Sequence, residues 1–587
     1  MTIAADLMSR AAQLSDDRQG FEADWDEIAR YCLPQAETSS NRHDFRRLDQ
    51  KLNNRSRAVQ RAPEVFDSSS ITLVTRLAAG MESLTAPQAE KWHGLDVDDP
   101  FGAALVDADE EWLERVRDYQ FTARYDPRSG FQTAFQSSLR RQIAFGTAIV
   151  ETEEAFGAAN QSGVAVPVYY RHIPLAQCYL ATNAQGVTDT NFRRFSMTAR
   201  QLVEKFGADK VSEKVKAAAE DEKRRDEPVD LLHATMPRAE AGSSRGSNRN
   251  SPFATYWLEV DTKHLITDGG FFEFPYHVFY WEQRDDSAYG ESPVMQALAD
   301  IRRFQNMSKH GLRAFQQWTD PPLATVADGQ MKRPNLNPRA LNPGALDERG
   351  EFRVRPLVTA QRPDFALEIL NAQKENLRES LYINLFQAMI DRPDSTATAA
   401  MIRADEKAQL LGPAGAKIHG ALASMIEREF AIMTRKGAFE TGSRLAPPET
   451  LQDREIKVKF TSPLDRMRRS NEVLGIQQTL EMAGALAQLK GSPAVLDRID
   501  EEKALDITRE VVGAPAGMMR DDESVERIRA NRADQQQMVA AQQAMQLVQG
   551  TSQSASAASQ AMSDVSQAAN ENPEMAEMLA EAAAAAG

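Results

Sequence analysis

Apolar and polar positions fall into helical register over one long stretch, and the rest of the chain can be placed around it. Between Pro293 and Asp320, about 26 residues run in one helical register, roughly 39 Å at 1.5 Å per residue and well beyond the mean helix. Leu298, Ile301, Phe304, Ser308, Leu312 and Phe315 recur at three- and four-residue spacing, while Arg302, Asn306, Lys309 and Arg313 form a second, basic stripe. Ser292 can cap the helix because its hydroxyl accepts from a first-turn amide, and Pro293 fits the first helical position. Asp320-Pro321-Pro322 then stops it. Some forty residues on, 364–390 repeats the design with Leu370, Leu377, Leu381 and Leu385 on one side and Glu368, Glu375 and Glu379 on another. The pattern predicts two rods, 292–318 and 364–390, whose basic and acidic stripes pair within one chain or between chains. Between them, 319–363 holds two strand-like runs, 323–326 and 352–355, framing a Pro/Asn/Gly-rich excursion: a small β tip on a helical stalk.

Elsewhere the same periodicity predicts helices at 2–31, 67–85, 107–124 and 129–144. At Phe145-Gly146-Thr147 the sequence turns into the β-branched run 148–152, and strands continue at 164–173, 190–196 and across the aromatic-rich 255–281. Residues 35–57 read as a polar, basic loop or arm, and 238–251 as a flexible surface loop. After the second rod come a break at 391–396, a helix at 397–436, a strand at 455–460, and helices at 466–489, 493–511 and 522–548. The stretch 550–587 has five carboxylates, no Lys or Arg, and little bulky apolar surface, so disorder or a helical extension is expected there. The fold class is α+β, mainly helical.

Composition narrows the function. The 587 residues are 42% hydrophobic, enough for several domains, and carry a net charge of −16. Such a chain does not grip nucleic acid over its whole surface, although a local basic ring stays open. Cys32 and Cys178 are far apart without a metal-ligand spacing. No apolar run approaches a membrane span, so neither a signal peptide nor a membrane protein is expected. Enzyme motifs are nearly absent: there is no phosphate loop of the ATPase type, no HExxH and no paired CxxC. Gly242-Ser243-Ser244-Arg245-Gly246 has nucleophile-elbow spacing but lies in a low-complexity loop. His172, His277 and His419 are scattered, as core or surface histidines are. No cofactor or metal is called for.

Taken in order, several short motifs resemble the head-to-tail connecting (portal) proteins of short-tailed bacteriophages. They are Asp67-Ser68, Leu77-Ala78-Ala79-Gly80-Met81, Leu84-Thr85-Ala86-Pro87, Lys91-Trp92, Phe145-Gly146-Thr147-Ala148 and Phe192-Arg193-Arg194-Phe195. Tyr289-Gly290-Glu291-Ser292-Pro293, Thr396-Ala397-Thr398, Leu411-Gly412-Pro413 and Ser462-Pro463-Leu464 complete the series. Two positions depart from the family pattern: Ala399, where Glu is frequent, and Tyr280-Trp281, where Arg-Trp is frequent.

The resemblance implies a ring of about twelve subunits at one capsid vertex. Double-stranded DNA would be packaged and ejected through it, and its partners would be the terminase large subunit, a tail adaptor, the major capsid protein and scaffold. It implies a wing (1–291 and 391–464), a stem (292–318 and 364–390), a clip (319–363), a crown (465–549) and a tail (550–587), with a channel loop at 391–398. Candidate channel cations are Arg302, Lys309, Arg313 and Arg392. Candidate inter-subunit stem partners are Arg302, Lys309 and Arg313 with Glu368, Glu375 and Glu379. The tip is locally positive, with Lys332, Arg333, Arg339, Arg349, Arg353 and Arg355, and is the candidate docking surface for motor and adaptor. The rival readings are another ring-forming virion component, such as a tail adaptor, and a DNA-processing hydrolase, which needs clustered acidic metal ligands.

Overall fold

The computed structural model describes residues 3–36, 65–97, 107–154, 168–239, 251–285, 287–320, 322–325, 335, 342–343, 345–346, 348–356, 363–384, 397–440, 442–451, 454–490, 498–512, 524–525, 527–532 and 535. One compact unit ends at Gly513 and a second begins at Ala514. In the second, residues 524–525, 527–532 and 535 are helical.

The first unit opens with α1 (Ile3–Tyr31) and α2 (Ser69–Thr85), where Asp67 Oδ1 accepts from the Ser69 amide at 2.6 Å. Strand β1 (His93–Val97) leads into α3 (Asp107–Arg124) and α4 (Phe131–Phe145), both close to their predicted bounds. The handover at Gly146 produces β2 (Thr147–Glu154), followed by β3 (Val168–Ile173), β4 (Cys178–Thr182) and β5 (Thr188–Thr198). Two short helices, α5 (Ala199–Phe206) and α6 (Glu213–Glu220), precede β6 (Pro228–Pro237), β7 (Phe253–Glu259), β8 (Leu265–Phe271) and β9 (Tyr276–Tyr280). The pair β10 (Glu282–Gln283) and β11 (Gly290–Glu291) introduces α7 (Pro293–Gln296) and α8 (Leu298–Thr319). Then come β12 (Leu323–Thr325), β13 (Val354–Pro356), α9 (Pro363–Ser380) and the long α10 (Ala397–Arg435). Strand β14 (Ile456–Phe460), α11 (Pro463–Lys490) and α12 (Glu501–Val512) end it. Strands β4 and β6 are additions to the expected set; β6 mixes Asp230, His233 and Thr235 among its apolar residues, which blurs a two-residue period.

Strands β4 to β8 form a five-stranded antiparallel meander, and β3-β2-β9 form a second sheet. The meander is two-faced because side chains alternate along each strand. Tyr179, Phe192, Leu232, Tyr256 and Leu258 pack against Leu7, Ala11 and Leu14 of α1. The opposite face buries polar groups: Arg193 lies 3.5 Å from Glu151 of β2, and His233 bonds Tyr276 of β9 at 2.9 Å and Thr255 at 2.8 Å. The largest core gathers the second half of α1 with α2, α4, the three-stranded sheet, α10 and the near ends of α8 and α9.

Buried charges in this body are paired. Arg18, fully buried, donates to the carbonyls of Leu175, Ala176 and Cys178 and to Glu22. Arg124 Nε donates to Glu429 at 2.8 Å, and the Tyr170 hydroxyl also bonds Glu429. The histidines noted in the sequence belong to this body: His172 is half-buried, His277 is buried and 2.8 Å from the Ser424 hydroxyl, and His419 stacks on Phe460.

Candidate functional site: two rods and their tip

The first rod is anchored by the same short motifs that carry the family resemblance. Gly146 sits in the left-handed region at φ 75, and a Cβ there would lie 2.3 Å from the Gly290 carbonyl oxygen. Its own carbonyl accepts from the Trp281 amide at 3.0 Å, the Gly290 amide donates to the Thr147 hydroxyl at 2.8 Å, and the Ser292 hydroxyl donates to the Ala144 carbonyl at 2.8 Å. The same Ser292 oxygen accepts from the Met295 amide at 2.9 Å, the expected cap. Tyr289 packs tilted against Phe21 and edge-on against Trp25, and its hydroxyl accepts from the Leu180 amide. A second joint holds α11: Leu464 packs closely over Gly415, where an added Cβ would lie 2.1 Å from Leu464 Cδ2 and force that side chain to move.

The rods differ from expectation in two places. The first is not one helix: α7 makes a single turn, Ala297 (φ −83, ψ 1) interrupts it, and α8 continues to Thr319. The helix of the second breaks after Ser380: 381–382 turn, and 383–384 are helical again. Leu381 and Ile383 are both buried, yet positions two apart lie about 200° apart on a helix, so one continuing helix cannot bury both against the same core. The chain turns at Tyr382, φ 56, which packs on Trp281. Leu385 and the remainder of the expected rod lie outside the described residues, as do Arg392 and 391–396 of the channel loop.

Antiparallel contact between α8 and α9 runs through Leu370, Gln373 and Leu377. Gly311 lets Leu370 approach, its missing Cβ falling 3.3 Å from Leu370 Cδ1, and Gln373 Nε2 lies 3.5 Å from Asp300 Oδ1. At about 100° per residue, Glu368, Glu375 and Glu379 face the opposite way from that contact row, and all three are exposed. The expected pairing of the two stripes inside one chain is therefore not what the structure contains. Arg302 pairs with Glu27 of α1, Lys309 stands 5.3 Å from the centroid of the Phe66 ring, and Glu375 pairs with Arg378 of its own helix. Gln305, buried on the seam, accepts from the Phe66 and Asp67 amides and donates to the Asp67 carbonyl. A buried glutamine on an otherwise apolar stripe was the signal for that anchor, which the periodicity alone did not raise. Arg313 is exposed.

Along the seam, burial fades toward the tip. Leu298, Ile301 and Phe304 are buried, whereas Leu312 is 52% and Phe315 48% exposed, and on α9 Leu367 is 51% exposed. Near the body, an open cleft of about 490 Å³ between the rods has Asp300, Asn376 and Glu379 on its wall. The tip contains the predicted strand pair: β12 and β13 are antiparallel, with Leu323 opposite Pro356 and Thr325 opposite Val354. A second bridge joins Leu346 and Phe352 around Gly350, φ 80. Phe352 is 69% exposed, Arg349 is exposed, and Arg355 pairs with Glu351 at 2.9 Å. Lys332, Arg333 and Arg339 lie outside the described residues, as does the motif at 242–246. Among the described residues no three His, Cys, Asp or Glu side chains are grouped to hold a metal, and no helix is long and apolar enough to cross a membrane.

A stalk with a β tip, rooted in a mixed α+β body, defines a structural component built for assembly. The family model of the bacteriophage head to tail connecting protein matches residues 4–519, and the chain belongs to that family. It is similar to the "Portal protein" of Salmonella phage epsilon15, 26% identical over 546 residues that cover 91% of this chain and 92% of the relative. It is also similar to the "Probable portal protein" of Bordetella phage BPP-1, 27% identical over 539 residues, covering 90% and 91%. Among solved structures, a chain of "Neck of empty GTA particle computed with C6 symmetry" aligns over 73% of this chain and 92% of its own length at 12% identity; its TM-score of 0.34 is too low to carry an argument. The function is that of a portal, or head-to-tail connector, in the phage virion.

Proposed function

We propose that about twelve copies close into a ring at one capsid vertex and form the conduit through which double-stranded DNA is packaged and ejected. The observation that carries this reading is the rod–tip–rod arrangement of α8, β12/β13 and α9. Its root is packed into the body, while its far half leaves Leu312, Phe315 and Leu367 uncovered. In this reading the rods are the stem, the β tip is the clip, 1–291 with 391–464 is the wing, 465–549 is the crown and 550–587 is its extension. Arg302 and Lys309 hold the rod to α1 and the segment at 66–67, so few cations are left to slow a sliding polyanion, which suits a conduit.

The test is negative-stain electron microscopy of the purified protein, with subunits counted in end-on views. Rings with a hole wide enough for duplex DNA are expected; a uniform monomer, with and without capsid protein and scaffold, overturns the reading. We also propose that the clip, with Arg349, Arg353 and Arg355 beside the exposed Phe352, is where the terminase large subunit and later a tail adaptor dock. Arg353→Glu with Arg355→Glu is expected to weaken terminase binding while ring counts stay unchanged.

A further inference from the structure

We propose that the exposed acidic face of α9 is a docking surface for the basic face of α8 in a second copy of this chain, so that the ring closes on an acid-on-base seam between rods. This inference rests on the ring reading and names the surface that makes it. Three observations support it.

The first is direction. Glu368, Glu375 and Glu379 face away from α8 of their own chain, because the contact row Leu370, Gln373 and Leu377 occupies the other side of α9. Glu375 pairs with Arg378 of its own helix, while the exposed Glu368 and Glu379 stand where a second molecule can reach them.

The second is charge complementarity. Helix α8 carries Arg302, Arg303, Lys309 and Arg313 against Asp300, and α9 carries Asp364, Glu368, Glu375 and Glu379 against Lys374 and Arg378. A face of one sign on each helix makes the protomer polar across its rods. Joining α9 of one copy to α8 of the next sets the mainly acidic helix against the mainly basic one, a heterologous contact that repeats around a ring. Joining α9 to α9 opposes like charges.

The third is the apolar surface at the same height. Leu312 and Phe315 on α8 and Leu367 on α9 remain exposed in the half of the rods where Arg313 and Glu368 stand. An interface combining an apolar strip with flanking charges gains area as well as register. Since the charged groups are exposed, salt screens them, and ring formation should weaken as ionic strength rises.

The experiment uses two full-length variants. Variant A carries Glu368→Lys and Glu379→Lys; variant B carries Lys309→Glu and Arg313→Glu. Each alone opposes like charges across the seam, and the protein concentration for half-maximal ring formation should rise about tenfold. An equimolar mixture should recover rings, because α9 of A then meets α8 of B and α9 of B meets α8 of A. A chain bearing all four substitutions should also recover them. Thermal unfolding of the unassembled variants separates loss of assembly from loss of fold. If A and B each form rings at the wild-type concentration, the proposal is wrong while the ring reading stands. If B forms normal rings but packages less DNA, the α8 cations face the channel and not a neighbour. Failure of the mixture and of the fourfold variant to recover rings also rejects the seam. Absence of rings from the wild-type chain removes the ring reading itself.

Discussion

The near and far halves of the rods share one sequence pattern and have opposite surroundings. Near the body, Ile301 and Phe304 of α8 and Leu377 of α9 are buried in the main core, Gln305 is bonded to 66–67, and Arg302 is paired with Glu27. Past Gly311 the same three- and four-residue spacing continues to Leu312 and Phe315, which stay about half exposed. Amphipathic periodicity thus reports that a face is to be buried, and leaves open which molecule buries it. Here the body answers for the near half, and in the ring we propose a neighbouring copy would answer for the far half.

The sharpest way to break that contrast is to damage the body. Glu429 is buried and holds both Arg124 and the Tyr170 hydroxyl. Glu429→Gln leaves a buried guanidinium without its counter-charge, at a cost of about 3–5 kcal/mol. Urea unfolding of the unassembled chain should show that loss as a lowered midpoint. A change below 1 kcal/mol would mean that the body is not organised around this pair.

Acid should separate the halves next. Burial pushes His233 and His277 down to about 3, so both are neutral in the folded body where unfolded histidine titrates near its ordinary value of 6.5. The unfolded chain then binds more protons below pH 6.5, and stability falls from there toward pH 3, by roughly tenfold in the folding equilibrium per pH unit for each histidine. Glu151 adds to the loss in a lower window. Its burial favours the neutral acid, but the guanidiniums of Arg171 and Arg193 outweigh that and hold it down to about 2, so its contribution is present above 4.5 and fades as pH drops toward 2. Unfolding midpoints measured from pH 8 to 4 should be flat above 7 and fall below 6.5, and His233→Gln should flatten part of the slope. The rod seam, by contrast, should respond to salt across the same range.

Much of this architecture was legible in the sequence, for identifiable reasons. The cap of α7, the stop of α8, the bounds of α3 and the strand pair at the tip all follow from local signals: a Ser before Pro, helical spacing, β-branched runs. What the sequence hid was partnership. Nothing in the spacing of Arg302 points to Glu27, which is 275 positions away. The end of α9 was hidden for a related reason, since Leu381 and Leu385 keep the helical period while the burial of Leu381 and Ile383 turns the chain at Tyr382. Gly146 and Gly290 stood out as motif residues, but their mutual approach became visible only in three dimensions.

A smaller effect sharpens the near side. Ser292 both caps α7 and ties it to Ala144 of α4, so Ser292→Ala removes one acceptor and one donor at the joint. The expected cost is about 1–2 kcal/mol, read from the unfolding midpoint. Ring counts should hold at protein concentrations where the variant is folded.

The smallest expected effect on the isolated chain tests the comparison most directly. Leu312→Ala with Phe315→Ala truncates two side chains that are half exposed, and surface changes of this kind usually stay within about 0.5 kcal/mol each. Ile301→Ala, four positions before Gln305 on the same seam but fully buried, should cost about 2–5 kcal/mol. Ring formation should rank the two variants in reverse. The far pair should lose assembly with the fold intact, because in the proposed ring a neighbour packs on that surface. The near variant should lose stability first, and assembly only as a consequence. Equal effects of the two on unfolding would mean that the far seam is already covered within one chain, and the division between body and assembly would have to be redrawn.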